Sequence, residues 1–206
     1  RIPGKFGFSP TADIQVLTPM HRGEVGTAAL NKALQATLNP AATAKAELVR
    51  GDTTLRTADK VMQLKNDYDK GVFNGDIGYI DRIDADAGQA RVIFTDGRIA
   101  DYDRAELDQL ALAYAVSVHK SQGSEYPAVV MPVVTQHFMM LSKSLLYTAM
   151  TRGKKLVILV GTGKAISLAV RNAQARPRHT YLAPRIAQAA AALLTSSIGA
   201  EPADTV

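Results

Sequence analysis

The sequence predicts an α/β fold in which a mainly parallel β-sheet is flanked by helices. Two apolar runs, residues 112–118 and 126–134, are rich in Val and carry no polar alternation. This pattern is typical of strands covered on both faces of a parallel sheet. Other short strand patterns alternate with helical patterns before and after these runs, which indicates an α/β architecture.

The composition limits the classes of protein to consider. A chain of 206 residues can bury a core as one large domain or as one domain with a small insert. Cys is absent, which excludes disulfides, and the four His are scattered, so we expect no metal site. No apolar run reaches the ~20 residues that span a membrane. No export signal is visible, and we expect a cytoplasmic protein.

The charge balance favours an anionic partner. Lys and Arg number 24 against 19 Asp and Glu, which gives a net charge of +5 at pH 7. No run of five like charges occurs, so a basic surface would have to be assembled by folding. This balance suits a nucleic acid without requiring one.

The first third of the chain reads as linker, strand, helix and connection. Residues 1–12 are rich in Pro and Gly and predict an irregular linker. Residues 13–18 predict a strand that ends at Pro19, and residues 23–39 predict a helix. The apolar stripe of this helix is expected at Leu30, Leu34 and Leu38. Residues 41–57 predict a connection with at most a weak hairpin.

A group of short β-rich segments follows. Residues 59–65 alternate as a strand, and residues 66–69 break it as a turn. Three further strands are predicted at 76–83, 90–94 and 98–102, with turn residues between them. Short alternating runs joined by turns predict an antiparallel meander or a small barrel.

The last third returns to helices and strands. After a connection at 135–140, Ser142 is a good N-cap for a helix that Gly153 stops. Residues 155–160 predict a final buried strand, and residues 163–175 predict another helix. From Pro177 onward the Pro, Ala and Ser content predicts a loose tail.

Polar side chains are concentrated between the two Val-rich runs, where open α/β sheets place their ligands at the carboxyl ends of strands. Such a density suits contacts with phosphate and sugar, although an ordinary solvated loop is the alternative. The seven hydrogen-bonding side chains are Ser117, His119, Lys120, Ser121, Gln122, Ser124 and Glu125.

This polar stretch, residues 117–125 (SVHKSQGSE), resembles motif V of superfamily 1 helicases, and within them the RecD-like branch. Residues 146–153 (LYTAMTRG) are similar to motif VI, which carries the arginine finger of these enzymes. Residues 16–23 (VLTPMHRG) resemble the motif IV region, and residues 66–78 resemble the characteristic insert. The resemblance spans roughly residues 13–176.

The resemblance implies a RecA-like second motor domain over residues 13–65 and 106–176, interrupted by a small SH3-like β-barrel at 66–105. It implies an ATP-dependent helicase that moves 5′ to 3′ on DNA. Single-stranded DNA and a first motor domain are the implied partners, with exonuclease or repair subunits as further candidates. Mg²⁺ would be held by the first motor domain.

A complete ATP site is not expected in this chain. Residues 161–164 (GTGK) are similar to part of the phosphate-binding motif G-x-x-x-x-G-K-S/T. However, Ile158 occupies the first Gly position of that motif and Ala165 occupies the Ser/Thr position. No apolar strand ends in an Asp-Glu pair. The chain by itself should therefore be inactive as an ATPase.

The resemblance gives roles to the polar residues. Arg152 is the expected arginine finger, and Arg22 is a second candidate for the same γ-phosphate. The residues expected to contact nucleotide are Gln122, Gly123 and Glu125. The residues expected to contact DNA are Ser117, His119, Lys120, Asn66 and Asn74.

Each role has a structural alternative. Arg152 could be a cation that stabilises the C-terminal end of a helix dipole, and Arg22 could be a surface residue at a helix start. His119 could be an interior histidine whose hydrogen bonds are made within the protein. For the whole chain, the alternatives are a nucleic-acid-binding module without motor activity and the helicase part of a conjugative relaxase.

Overall fold

The computed structural model describes residues 2–137, 140–172 and 181–198, which belong to two units, Arg1–Ala173 and Gln174–Val206. The helices of the first unit are α1 (Ile2–Phe6), α2 (Thr27–Leu38), α3 (Lys143–Met150) and α4 (Gly163–Arg171). Its strands are β1 (Ile14–Thr18), β2 (Glu47–Arg50), β3 (Thr53–Arg56), β4 (Lys60–Gln63), β5 (Ile77–Asp84), β6 (Gln89–Phe94), β7 (Ile99–Tyr102), β8 (Leu110–Leu112), β9 (Ala115–Ser117), β10 (Tyr126–Val133) and β11 (Gly153–Gly161). The second unit contains α5 (Leu182–Ile198).

A parallel sheet of four strands forms the centre of the first unit, in the order β11-β10-β1-β9. Val16 aligns with Ala115 on one side and with Val130 on the other, so β1 separates the two strands that flank the polar stretch. Apolar residues of β1, β9 and β10 form one core cluster with α3 and α4. The predicted α/β fold with a parallel sheet is confirmed.

Helix α3 begins where the sequence predicts. The Oγ of Ser142 accepts a hydrogen bond from the backbone N of Leu145 at 3.2 Å, which caps the helix. Leu145, Leu146 and Ala149 are buried, so this face of the helix packs on the sheet.

The final strand forms, but the prediction that it is buried is wrong. β11 is at the edge of the parallel sheet in the described part of the chain, and none of its nine residues is buried. Val160 is 54% exposed although it is apolar. An unbroken apolar run predicts a strand but does not say whether the strand is central or at an edge.

The insert is a five-stranded antiparallel sheet in the order β7-β6-β5-β4-β8. It includes β4 and β8, so the predicted insert range, 66–105, lies inside a larger sheet. Residues 41–57, predicted as a connection with at most a weak hairpin, contain the β2–β3 hairpin, and its Leu48 and Leu55 pack into the core of this sheet. Closure of the sheet into a barrel stays a prediction.

Helix α2 buries amides where leucines were expected. Leu30, Leu34 and Leu38 are only partly buried, whereas Asn31 and Gln35 are 8% and 5% exposed. Asn31 donates to the carbonyl of Ala115 and accepts from its N–H, both at 2.8 Å, and so covers the open edge of β9. The backbone of an edge strand needs such partners when it is buried.

A buried carboxylate joins α2 to the hairpin and to β9. Asp59 is 0% exposed. It accepts from Gln35 Nε2 at 2.6 Å, Asn39 Nδ2 at 2.7 Å, Arg56 N at 2.7 Å and Tyr114 OH at 2.9 Å. These four hydrogen bonds compensate the burial of the charge.

Two segments predicted as irregular contain helices. The predicted linker includes α1, with Pro3 in its first turn, and the tail predicted as loose includes α5, with Pro184 in its first turn. Both predictions are wrong over these residues, because Pro is tolerated in a first turn, where no N–H is needed. The Ala-rich sequence that follows Pro184 has a high helix propensity. The tail residues 177–180 and 199–206 lie outside the described residues, as do 138 and 139 of the predicted connection.

Among the described helices, none combines the length and apolar character needed to cross a membrane.

Candidate functional site

The polar stretch forms a loop that runs from the side of the parallel sheet where the strands end to the side where they begin. These two sides are called the carboxyl edge and the amino edge of the sheet. This crossing loop, residues 118–125, leaves the carboxyl end of β9 and enters the amino end of β10. Inside it, Ser121 is fully buried and its Oγ donates to the carbonyl of Val118 at 2.7 Å. The backbone N of Lys120 donates to Ser117 Oγ at 3.3 Å. Ser117 and Ser121 therefore hold the loop, and its His119, Lys120 and Gln122 side chains are exposed.

The exposed side chains of the crossing loop fall into two groups. His119 and Lys120 are exposed next to the carboxyl edge, while Glu125 is exposed at the amino edge, with Gln122 and Gly123 between them. Glu125 Oε2 is 3.0 Å from Lys154 Nζ, and both side chains are more than half exposed, so the pair contributes little to stability. The structure thus brings only part of the predicted site to each edge.

Arg152 is held against the crossing loop at the amino edge. Its Nη1 donates to the carbonyl of Ser124 at 3.1 Å and its Nε to the carbonyl of Thr148 at 3.2 Å. The carbonyl of Arg152 accepts from the backbone N of Tyr126 at 2.8 Å. The guanidinium is therefore oriented on a partly buried side chain beside Glu125, rather than mobile in solvent.

Arg22 lies at the other edge of the sheet. It follows the carboxyl end of β1, where Thr18 aligns with Ser117, whereas Arg152 precedes the pairing of Tyr126 with Gly153. The strand from Tyr126 to Pro132, which reaches the level of Thr18, spans about 20 Å at ~3.3 Å per residue. Both arginines lie beyond this span, so the geometry does not support the prediction that they share one γ-phosphate.

The segment around Arg22 is a tight turn between β1 and α2. Thr18 Oγ1 donates to the carbonyl of Val25 at 2.7 Å, and His21 Nδ1 is 3.0 Å from Thr27 Oγ1. A Cβ at Gly26 would be 2.4 Å from the carbonyl oxygen of Arg22, so only Gly fits there. This turn leaves His21 and Arg22 exposed at the carboxyl edge.

A cleft of about 680 Å³ opens at the same edge. This basic cleft lies between α2, the β2–β3 hairpin, the ends of β4 and β8, and β9. Its rim carries Lys32, Arg50, Arg56 and Lys120, against one acidic lining residue, Asp52. The folded chain thus assembles the basic surface that its net charge suggested.

Only some of the residues predicted to contact DNA lie at the basic cleft. Ser117 and Lys120 line it, and His119 is exposed next to Lys120. Asn66 and Asn74 do not line it. Asn66 Oδ1 accepts from the backbone N of Asn74 at 2.9 Å, which gives this pair a structural role in the insert.

A second cavity of about 360 Å³ lies between the insert and the amino edge. Glu125 and Tyr126 line it together with Lys60 of β4. Burial lowers the pKa of Lys60 to about 8, partly offset by the charge of Asp13, and its Nζ donates to the carbonyl of Thr11 at 2.8 Å. This ammonium ties the entry segment to the insert.

Sequence reasoning missed the basic residues outside the motifs, namely Lys32 on α2 and Arg50 and Arg56 on the hairpin. Nothing in their local sequence marks them, because they come together only when the hairpin folds over α2. Among the described residues, no cluster of three His, Cys, Asp or Glu could hold a metal ion.

Two family models match separate parts of the chain. Residues 30–94 match the family described as "ATP-dependent RecD-like DNA helicase SH3 domain", which includes the hairpin and β4 to β6. Residues 112–160 match the family described as "UvrD-like helicase C-terminal domain", which includes the crossing loop and Arg152. Both matching families are described as domains of helicases, and the parallel sheet with its antiparallel insert agrees with that class.

Within that class, the chain resembles the RecD-like helicases, as its motifs predicted. It is 38% identical over 173 residues to the ATP-dependent RecD2 DNA helicase of Deinococcus radiodurans, which covers 84% of this chain and 23% of that protein. It is 32% identical over 105 residues to the RecBCD enzyme subunit RecD of Mycobacterium tuberculosis, over 51% of this chain and 18% of that one. The chain therefore spans less than a quarter of either relative.

The fold is also similar to that of a solved helicase. A crystal structure of Pif1 helicase from Bacteroides in complex with ADP-AlF3 and ssDNA matches with a TM-score of 0.52 at 18% identity, over 86% of this chain and 45% of that one. At this identity, the likeness supports the fold alone.

Proposed function

We propose that the chain is the second motor domain of a RecD-like, ATP-dependent DNA helicase that moves 5′ to 3′. The observation that carries the proposal is the guanidinium of Arg152, held by the Ser124 carbonyl on the crossing loop at 3.1 Å. A donor fixed in this way can stabilise charge that develops on a transferred γ-phosphate. Glu125 and the backbone at Gln122 and Gly123 lie on the same loop and complete this wall of a nucleotide site.

The other wall belongs to a first motor domain. The phosphate loop is not present in this chain, since Ile158 and Ala165 replace its required residues. The Mg²⁺ ligands are likewise expected on that domain. The chain alone should not turn over ATP, and the similarity to the ATP-dependent RecD2 DNA helicase supports nucleotide use by the assembled protein.

Single-stranded DNA would follow the carboxyl edge of the sheet. The basic cleft supplies Lys32, Arg50 and Lys120 for its phosphates, with Ser117 and His119 beside them. The similarity to a RecD subunit of a RecBCD enzyme supports further repair subunits as partners.

The arginine finger is tested by adding the first motor domain of the same protein to purified wild-type or variant chain. Wild-type chain should restore DNA-stimulated ATP hydrolysis, and Arg152→Ala should lower its kcat by about 10³-fold or more. Arg171→Ala is the control, because it removes an exposed arginine at the end of another helix, α4, outside the motifs.

Hydrolysis that survives Arg152→Ala would remove the finger assignment. Single-strand binding without any restored hydrolysis would favour the alternative of a nucleic-acid-binding module that lacks motor activity.

A further inference from the structure

The basic cleft is larger than contact with a phosphate backbone requires. Its volume of about 680 Å³ is within the ~300 to 1,000 Å³ typical of pockets for small organic ligands. Most of its lining is apolar, and it includes Met62, Leu112 and Val116 of the two sheets and Ala28 and Ala36 of α2. Phosphates gain nothing from contact with an apolar lining, so we expect a less polar group of the ligand to contact it.

The charges on the rim are placed to hold the phosphates on either side of such a group. Lys32 and Lys120 are exposed on the side of α2 and the crossing loop. Arg50 stands on the hairpin, where its Nη1 donates to the carbonyl of Leu107 at 2.6 Å. Asp52, at the hairpin turn, disfavours phosphate at the outermost tip, while Arg56 is already bonded to Glu47.

The two buried amides of the cleft, Asn31 and Gln35, already form hydrogen bonds within the protein. Asn31 uses its amide on both backbone groups of Ala115, and Gln35 donates to the carbonyl of Thr54 at 2.8 Å and to Asp59. One ring lines the cleft within the described chain, that of His21, whose Nδ1 is 3.0 Å from Thr27 Oγ1; no Phe, Tyr or Trp lines it there. The cleft therefore offers an apolar surface and one imidazole ring, and its two buried amides are not free to read a base edge.

We propose that the basic cleft receives an unstacked nucleobase of the bound single strand, while Lys32, Lys120 and Arg50 hold the flanking phosphates. This inference rests on the proposed function, since it needs a single strand at the carboxyl edge. Bases turned out of a single strand are buried against protein in this way, and the contact tolerates any sequence when no base edge is read. The strand would then be gripped by both its backbone and its bases.

The test compares two oligonucleotides of equal length and charge, a short dT strand and a strand of abasic deoxyribose phosphates. Fluorescence anisotropy with the full chain should show at least about tenfold weaker binding of the abasic strand, because base contacts are lost. The salt dependence should be the same for both strands, since their phosphates are the same. A dA strand should bind within a few-fold of dT.

A variant that fills the cleft isolates the apolar contact. Ala36→Leu adds an aliphatic side chain at an exposed helix position that lines the cleft, and it should bring dT affinity down to that of the abasic strand. Ala33→Leu is the matched control, since Ala33 is exposed on the same helix but does not line the cleft, and it should behave as wild type.

The outcomes separate the inference from the proposed function. Equal affinity of wild-type chain for dT and abasic strands would overturn the nucleobase site and leave the DNA track standing. Loss of dT affinity in both Leu variants would also overturn it, because the effect would not depend on the cleft. No salt-dependent binding of either strand would overturn the DNA track itself.

Discussion

Lys60 is 2% exposed, which makes its charge costly at neutral pH. Burial lowers the pKa of Lys60 from 10.5 to about 8. Below about pH 8 the ammonium is charged in both the folded and the unfolded chain, so the whole cost is present. Between about pH 8 and 10.5 the folded chain has lost a proton that the unfolded chain keeps, so the free energy of unfolding rises with pH in this window.

Lys60→Met should therefore stabilise the chain near pH 7, by roughly 1 to 3 kcal/mol. The carbonyl of Thr11 would keep a partner, because Tyr79 OH also donates to it at 3.1 Å. The advantage should shrink as the pH rises toward about 10, which urea unfolding at several pH values would measure. Lys65→Met, at an exposed lysine paired with Asp108, should give no such trend. A destabilised Lys60→Met chain at pH 7 would mean that the bond to Thr11 outweighs the cost of burial.

Helix α2 explains where prediction from sequence succeeded and where it failed. Its apolar set, Leu30, Leu34 and Leu38, and its amides Asn31, Gln35 and Asn39 have the same i, i+4, i+8 spacing, so periodicity alone cannot choose the buried face. The usual preference for apolar burial chose the leucines. The amides are buried because α2 packs on an edge strand and a hairpin whose backbone groups need hydrogen bonds.

Elements with local signals were predicted well. The strands of the insert follow from alternation and turn residues, and the start of α3 follows from Ser142. The crossing loop and Arg152 could be found because their signals are contiguous in sequence. The cleft residues Lys32 and Arg50 could not, since their juxtaposition depends on a contact between elements that local sequence does not encode.

The junction between α2, the hairpin and β9 should depend strongly on the Asp59 carboxylate. Asp59→Ala would leave two amides, a hydroxyl and a backbone N–H without their acceptor in a buried place. We expect a loss of about 3 to 5 kcal/mol in the free energy of unfolding, measured by denaturant titration. Asp86→Ala, at an exposed turn, should change stability by less than ~0.5 kcal/mol. A small effect of Asp59→Ala would show that the hydrophobic contacts alone hold the junction.

At the scale of the whole molecule, the sheet separates the residues proposed for nucleotide binding from the basic cleft proposed for DNA. Arg152 and Glu125 lie at the amino edge, and the basic cleft lies at the carboxyl edge. The crossing loop touches both, since it contains Lys120 near one end and Ser124, the acceptor of the Arg152 hydrogen bond, near the other. A shift of the loop at one edge would therefore move loop residues at the other edge. Such coupling suits a motor that links nucleotide binding to movement along the DNA strand.

This separation predicts different defects at the two edges in the assembled two-domain protein. Lys120→Ala should weaken binding to single-stranded DNA and reduce the log-log salt slope by about 0.7, the value for one phosphate contact, while hydrolysis at saturating DNA is retained. Arg152→Ala should abolish hydrolysis while nucleotide-free DNA affinity stays near wild type. Arg22→Ala provides the sharpest comparison, because Arg22 and Arg152 lie beyond opposite ends of a strand about 20 Å long. It should leave kcat at saturating DNA unchanged, and a loss as large as that of Arg152→Ala would show that both arginines reach the same phosphate after all.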